Sequence, residues 1–141
     1  MIGLERGKVV LYAHDPAWDA EASRAIRLLK KILGAIVTEI AHVGSTAVDT
    51  IMAKPIIDIA LAVSDFTDII GYNRKLELHG FYYRYAMDDQ NNILRGKIDF
   101  KTENIRQLLY ACGGYYNGSN KLQTHFIHVV LTDSEQWRDY I

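Results

Sequence analysis

The sequence predicts an α/β fold of the mixed α+β kind: a mixed β-sheet with helices packed on it. Three observations carry that expectation. An amphipathic stretch of helical period runs from Pro16 to Leu33, with apolar residues at Trp18, Ala22, Ala25, Ile26, Leu29, Ile32 and Leu33. Short runs rich in branched residues follow, at 35–43 and 56–63. Turn formers, Gly34 and then Gly44-Ser45-Thr46, close the helix and the first of those runs.

Taken in order, residues 8–12 form a short strand or an extended lead-in. Asp15 is a cap and Pro16 suits a first helical position, so the helix starts there. Asp19 and Glu21 near its start, and Lys30 and Lys31 near its end, agree with the helix dipole. Residues 35–43 then read as a strand. Period two puts Ile36, Thr38, Ile40 and His42 on one face and Val37, Glu39, Ala41 and Val43 on the other. Gly44 to Ala53 is a loop or a short helical turn. Residues 56–63 are almost continuously apolar, the pattern of a strand covered on both faces.

Ser64-Asp65 opens a second helix that turns Phe66, Ile69, Ile70 and Leu76 inward and stops at Gly80. Phe81–Met87 and Ile93–Lys101 read as a hairpin around the polar stretch Asp88-Asp89-Gln90-Asn91-Asn92. Thr102 caps a third helix carrying Ile105, Leu108, Leu109 and Cys112, with Gly113-Gly114 as its stop. Tyr115 to Lys121 is loop, and Gln123 to Leu131 a strand. Asp133 with Gln136 resembles a capping box and opens a last helix containing Trp137. No repeat, linker or low-complexity tract interrupts residues 1–141, which are expected to form one domain.

Composition excludes several classes of function. A net charge of −1 gives no general attraction for nucleic acid or anionic lipid. No apolar run approaches the roughly 18 residues of a membrane span. Cys112, the one cysteine, fits a reducing compartment, and with no signal peptide visible the expected location is the cytoplasm.

One acid stands out. Asp58 lies inside the apolar run Ile56–Val63, and an unpaired carboxylate is costly to bury. It faces a cleft or holds a partner. Gly44-Ser45 ends the preceding strand, where a glycine lets backbone approach a ligand closely and the Ser45 hydroxyl and nearby N–H groups can hold a phosphate. A phosphate cradle beside a carboxylate is the minimum for binding a nucleotide through Mg²⁺ or another divalent metal. The plainer alternatives are a strand-to-helix turn capped by Ser45 or Thr46, and a structural pair of Asp58 with Lys54 or His42. If the late strand lies beside that of Asp58, His42, Asp58 and His128 converge as metal ligands or phosphate donors; otherwise the histidines are satisfied in the core. His128 shares a strand face with Phe126 and Val130, whereas His125 points the other way. His14 and His79 read as solvated. Tyr82, Tyr83, Tyr85, Tyr115 and Tyr116 offer stacking surfaces for a base or fill a half-buried hairpin.

These residues carry a resemblance. His42-Val43-Gly44-Ser45-Thr46 with Lys54-Pro55-Ile56-Ile57-Asp58-Ile59 resembles the GrpB family, as do Asp15-Pro16-Ala17-Trp18 and the strand Thr124-His125-Phe126-Ile127-His128-Val129-Val130. Gly-Ser, a spacer and an acid on an apolar strand is also similar to the opening of the nucleotidyltransferase superfamily with its polymerase-β-like fold. The resemblance implies that fold and binding of a nucleotide or other phosphorylated small molecule. Gly44, Ser45, Thr46, Lys54 and His42 would bind phosphate, Asp58 and His128 would be catalytic, and Asp58, His42 and His128 would hold a metal. Departures bear on the chemistry. Active nucleotidyltransferases resemble one another in a second acid two residues on, where this chain has Ala60. Asp49 and Asp99 are the candidates to replace it. Val48-Asp49-Thr50-Ile51 stands where the family has V-P-G-L, the H-x-H pair is reduced to Phe126 and His128, and the chain ends earlier than the family does. Nucleotidyl transfer and a non-catalytic binding domain that keeps the fold are therefore both open readings.

Overall fold

The computed structural model describes residues 1–113 and 122–141. In chain order the elements are β1 (Leu4–Glu5), α1 (Pro16–Leu33), β2 (Val37–Val43), β3 (Ile57–Val63), α2 (Phe66–Ile70), α3 (Asn73–Leu78), β4 (Tyr82–Asp88), β5 (Ile93–Leu94), β6 (Ile105–Cys112), β7 (Leu122–Gln123), β8 (His125–Leu131) and α4 (Glu135–Tyr140). A six-stranded mixed sheet has the order β2-β3-β8-β6-β4-β5, and β1 pairs separately with β7. β3 and β8 run parallel; every other neighbouring pair in the large sheet is antiparallel. No described helix is long and apolar enough to cross a membrane.

α1 begins as the residues dictate. The Asp15 side chain accepts from the Ala17 N–H and Pro16 takes the first helical position. Trp18, Ala22, Ala25, Leu29 and Leu33 are its buried stripe. They share one core with Ile57, Ile59, Leu61 and Val63 of β3, Leu108 and Tyr110 of β6, and Ile127 and Val129 of β8. Phe66, Ile69 and Leu76 bring α2 and α3 onto the same core. At about 1.5–3 kcal/mol for each large side chain fully buried, this face dominates the stability. The opposite face is covered less completely. There α4 packs Trp137 and Tyr140 on a small cluster of Ala41, Val43, Ala60, Ala62 and Val130.

Several expected elements turn out otherwise, each for a local reason. The expected third helix is the strand β6, paired on both sides with β4 and β8. Ile105, Leu108, Leu109 and Cys112 imitate a helical stripe, but Leu108, Leu109, Tyr110 and Ala111 are buried in succession, as in a strand covered on both faces. The expected second helix is two short ones, interrupted at Gly71 and Tyr72. The second hairpin strand shrinks to Ile93–Leu94, after which the chain leaves the sheet and brings Phe100 against Phe66, ring centroids 6.0 Å apart. Residues 8–12 contribute only a single bridge, Tyr12 to Ala53. Ile36 and Val37, assigned to opposite faces, pack on the same core, because Gly34–Ile36 forms a 3-10 turn and a bulge interrupts β2 between Val37 and Glu39. The cap of α4 is Ser134, whose side chain accepts from the Trp137 N–H; Asp133 has a positive φ of 59° and precedes it. Tyr115 and Tyr116 lie outside the described residues.

Candidate functional site

Strand alternation builds the site. Asp58, the second residue of β3, stands opposite Val43 of β2 and Phe126 of β8. Its side chain is therefore on the face away from α1, with Ala60 and Ala62. On β8, His128 pairs in register with Ala60 and so shares that face. His128 Nε2 lies 3.0 Å from Asp58 Oδ1. Both side chains remain part-exposed, His128 by 19% and Asp58 by 28%, so the pair meets solvent.

Two further residues complete a chain of hydrogen bonds. Gln107 of β6 has its Nε2 3.1 Å from His128 Nδ1. The Tyr140 hydroxyl of α4 donates to Gln107 Oε1 over 3.1 Å. An amide nitrogen only donates, so His128 Nδ1 must accept and the imidazole proton sits on Nε2, donating to Asp58. Tyr140, Gln107 and His128 thus point their donors in one direction, ending on the Asp58 carboxylate. The Tyr140 ring also lies over the imidazole, centroids 5.4 Å apart, and burial beside Asp58 pushes its phenol above the usual range. Neither Gln107 nor Tyr140 is among the residues that sequence reasoning selects. Gln107 falls on an expected helix, where it has no relation to His128, and Tyr140 carries no signal of its own.

Gly44 brings the bend to the acid. Its φ of 73° with ψ of −171° lies in a region nearly reserved for glycine. A Cβ on Gly44 would sit 2.8 Å from Asp58 Oδ2 and 3.2 Å from Asp58 Cβ. Asp58 therefore has one oxygen on His128 and the other against the exposed Gly44–Ser45 backbone. Ser45 is exposed at the head of the 3-10 turn Ser45–Ala47.

The remaining candidates do not join the pair. His42 pairs in register with Ile59, so it is on the α1 face, away from Asp58 and His128. Its Nε2 is 2.9 Å from Thr46 Oγ1, and its Nδ1 is 3.8 Å from Asp19 Oδ1. Thr46 is fully buried, which makes it an anchor for the turn. Burial holds the His42 pKa below its usual value, against the pull of Asp19 and Asp58. The expected convergence of His42, Asp58 and His128 therefore reduces to Asp58 and His128. Among the described residues, no group of three His, Cys, Asp or Glu side chains is arranged to hold a metal ion. Lys54 is exposed, and the partner of Asp58 is His128, not Lys54 or His42. Asp99 lines a hollow with Thr67 of α2, beyond the C-terminal end of β3, whereas Asp58 is near its start. The strand between them spans about 16 Å, so Asp99 does not serve as a second acid. His14, expected in solvent, has only 12% of its side chain exposed and bonds Asp19 Oδ2 through Nε2 at 2.8 Å.

His125 points away from the His128 face, as expected, and there it meets α1. Its Nε2 is 3.1 Å from Glu21 Oε1 and its Nδ1 is 2.8 Å from Thr124 Oγ1. Burial depresses its pKa despite the pull of Glu21. The unfolded chain then binds the proton that the folded chain refuses. Stability is fully present above the unfolded-state value near 6.5 and declines as the pH falls from there toward the folded value. Urea titrations at pH 7.5 and 5.5 are expected to show that loss, and His125→Gln is expected to shrink the difference between the two pH values. Cys112, paired in register with His125, has its thiol pushed up to about 12 by burial, which suits a core residue.

Comparison with known proteins agrees with the mixed α/β fold. The sequence model described as GrpB protein matches residues 8–141. The glutamate-rich protein GrpB of Alkalihalophilus pseudofirmus is 30% identical over 142 aligned positions, covering 100% of this chain and 72% of that protein. A UPF0157 protein of Halalkalibacterium halodurans is 34% identical over 90 residues, 62% of this chain and 46% of its own length. The crystal structure of a conserved GrpB protein from Enterococcus faecalis superposes with a TM-score of 0.67 at 25% identity, over 92% of this chain and 66% of that one. The chain thus spans under half of the second relative and about two thirds of the solved structure. On a match that runs from the first residues of the lead-in through α4, this chain belongs to the GrpB family.

Proposed function

We propose that this chain binds a nucleotide or another phosphorylated small molecule where the Gly44–Ser45 bend meets Asp58. The observation that carries the reading is the approach of Gly44 to the carboxylate, so close that a Cβ would stand 2.8 Å from Asp58 Oδ2. A carboxylate held against bare backbone and part-open to water is a setting for a cation-bridged phosphate. Ser45 supplies a hydroxyl at the same bend, and His128 orients the carboxylate from the other side.

The residues suit one divalent ion and not two. Mg²⁺ is commonly held by one or two carboxylates, with phosphate oxygens and water completing the shell. Asp58 Oδ2, unused by His128, is the oxygen available for that. A two-metal centre needs a second acid close by, and Ala60 occupies the position two residues on. Ala60, with Asp99 beyond the far end of β3, favours a binding module over nucleotidyl transfer.

Thermal denaturation with ATP, GTP, CTP and UTP, each with Mg²⁺ or Mn²⁺ and with chelator, tests the proposal. A saturating rise in Tm that needs the divalent ion is expected for at least one of them, worth about 2.7 kcal/mol at a ligand concentration one hundred times Kd. No rise with any of the four at millimolar concentration would sink the nucleotide reading.

A further inference from the structure

We propose that residues 9–12 and 48–52 form one surface that docks a second copy of this chain about a two-fold axis. Large apolar side chains are concentrated there and left in water. Val9 is 74% exposed, Leu11 53% and Met52 58%, and Val10, Val48 and Ile51 are exposed as well. The two segments are tied side by side. The Tyr12 N–H donates to the Ala53 carbonyl and the Ala53 N–H to that of Tyr12, each over 2.9 Å. Apolar residues scattered singly over a surface need no explanation, whereas a cluster marks an interaction site.

The area fits a dimer. At about half exposure each, these residues present on the order of 500 Å². A standard interface takes about 800 Å² from each partner, and about 65% of a homodimer interface is apolar. The cluster therefore covers the apolar share that such an interface needs, with polar neighbours left to form its rim.

The rim charges choose the occupant. A two-fold interface must be complementary to itself. Asp49 and Lys54 flank Ile51 and Met52 on either side, both exposed and neither in an ion pair among the described residues. Where this segment lies antiparallel to its copy, Asp49 meets Lys54 of the second copy and Lys54 meets its Asp49. Beside the other segment, Lys8 is already held by Glu5 at 3.3 Å. Cations matched in this way offer anionic lipid little to hold. The net charge of −1 leaves little repulsion between copies. Neither segment contains Gly44, Ser45 or Asp58, so the proposal stands apart from the phosphate reading.

Sedimentation equilibrium of the whole chain tests it, across about 1 to 300 µM, since interfaces of this size reach micromolar affinity or better. A mass rising toward twice the 16.0 kDa of one chain is expected. Leu11→Glu and Met52→Glu should each weaken association about tenfold or more. Their circular dichroism and Tm should stay as in wild type, because both side chains are exposed. Leu78→Glu, at a residue 84% exposed outside both segments, should leave the dimer intact. Asp49→Lys and Lys54→Asp should each weaken the dimer, and the double variant Asp49→Lys/Lys54→Asp should restore it. A monomer at every concentration would overturn the proposal, whether or not it takes up another protein or a lipid vesicle. So would a dimer that withstands both Leu11→Glu and Met52→Glu, or a double charge swap that restores nothing.

Discussion

Gly44→Ala is expected to cost about 3 kcal/mol of stability and to remove phosphate binding, the backbone strain supplying about 1–3 kcal/mol of that and the clash the rest. Alanine at φ 73° and ψ −171° occupies a region nearly closed to residues with a Cβ. The added methyl would also meet Asp58, at 2.8 Å from Oδ2, 3.2 Å from Cβ and 3.3 Å from Cγ. Asp58 escapes only by turning its carboxylate away and surrendering the 3.0 Å bond from His128 Nε2. Gly7→Ala separates the two contributions. Gly7 has a comparable φ of +82°, yet nothing lies within 4 Å of a Cβ there. Urea denaturation of both variants should find Gly44→Ala the more damaging. In the double variant Gly44→Ala/Asp58→Ala, part of the loss should return, because Oδ2 and Cγ are gone and only the 3.2 Å contact with Cβ stays. Equal losses for Gly44→Ala and Gly7→Ala would mean that the bend and the acid do not touch.

The residues themselves make that contact legible in outline. A glycine bend ending one strand and an acid opening the next must come to a common rim if the two strands pair, and β2 pairs with β3 so that Val43 faces Asp58. Alternation on β8 likewise separates His128 from His125 correctly. α1 is readable in full, because its cap, its proline, its buried stripe and its stop are all local features. What local pattern cannot supply is whatever depends on partners distant in sequence. Leu108 to Ala111 are buried by β4 and β8, and periodicity does not distinguish such a strand from a buried helix. A helix there leaves Gln107 unconnected to His128, though the two side chains touch. His42 groups with Asp58 only by closeness in sequence. Adjacent register positions on a strand pair face opposite ways, which sends His42 to the α1 side, with Asp19 and Thr46.

Asp58→Asn is expected to weaken Mg²⁺-dependent nucleotide binding about a hundredfold, roughly 2.7 kcal/mol, while changing stability by less than about 1 kcal/mol. The substitution preserves shape and keeps an oxygen to accept from His128 Nε2, so the chain from Tyr140 through Gln107 stays intact. It removes only the charge. The sign of the effect then reports how phosphate is held. Unit charges of like sign about 5 Å apart repel by about 3 kcal/mol at an effective dielectric constant of 20, so a phosphate seated directly on the Gly44–Ser45 backbone would bind better without the carboxylate. A phosphate reached through a cation loses its bridge and binds worse. The exposed face of the pair and the free Oδ2 against Gly44 favour the bridge. Calorimetric titration with and without Mg²⁺ separates the cases. Wild type should need the ion, and the variant should bind weakly and show no dependence on it. Tighter binding by Asp58→Asn, with the ion making no difference in either protein, would discard the cation bridge and leave Gly44 and Ser45 to hold the phosphate by themselves.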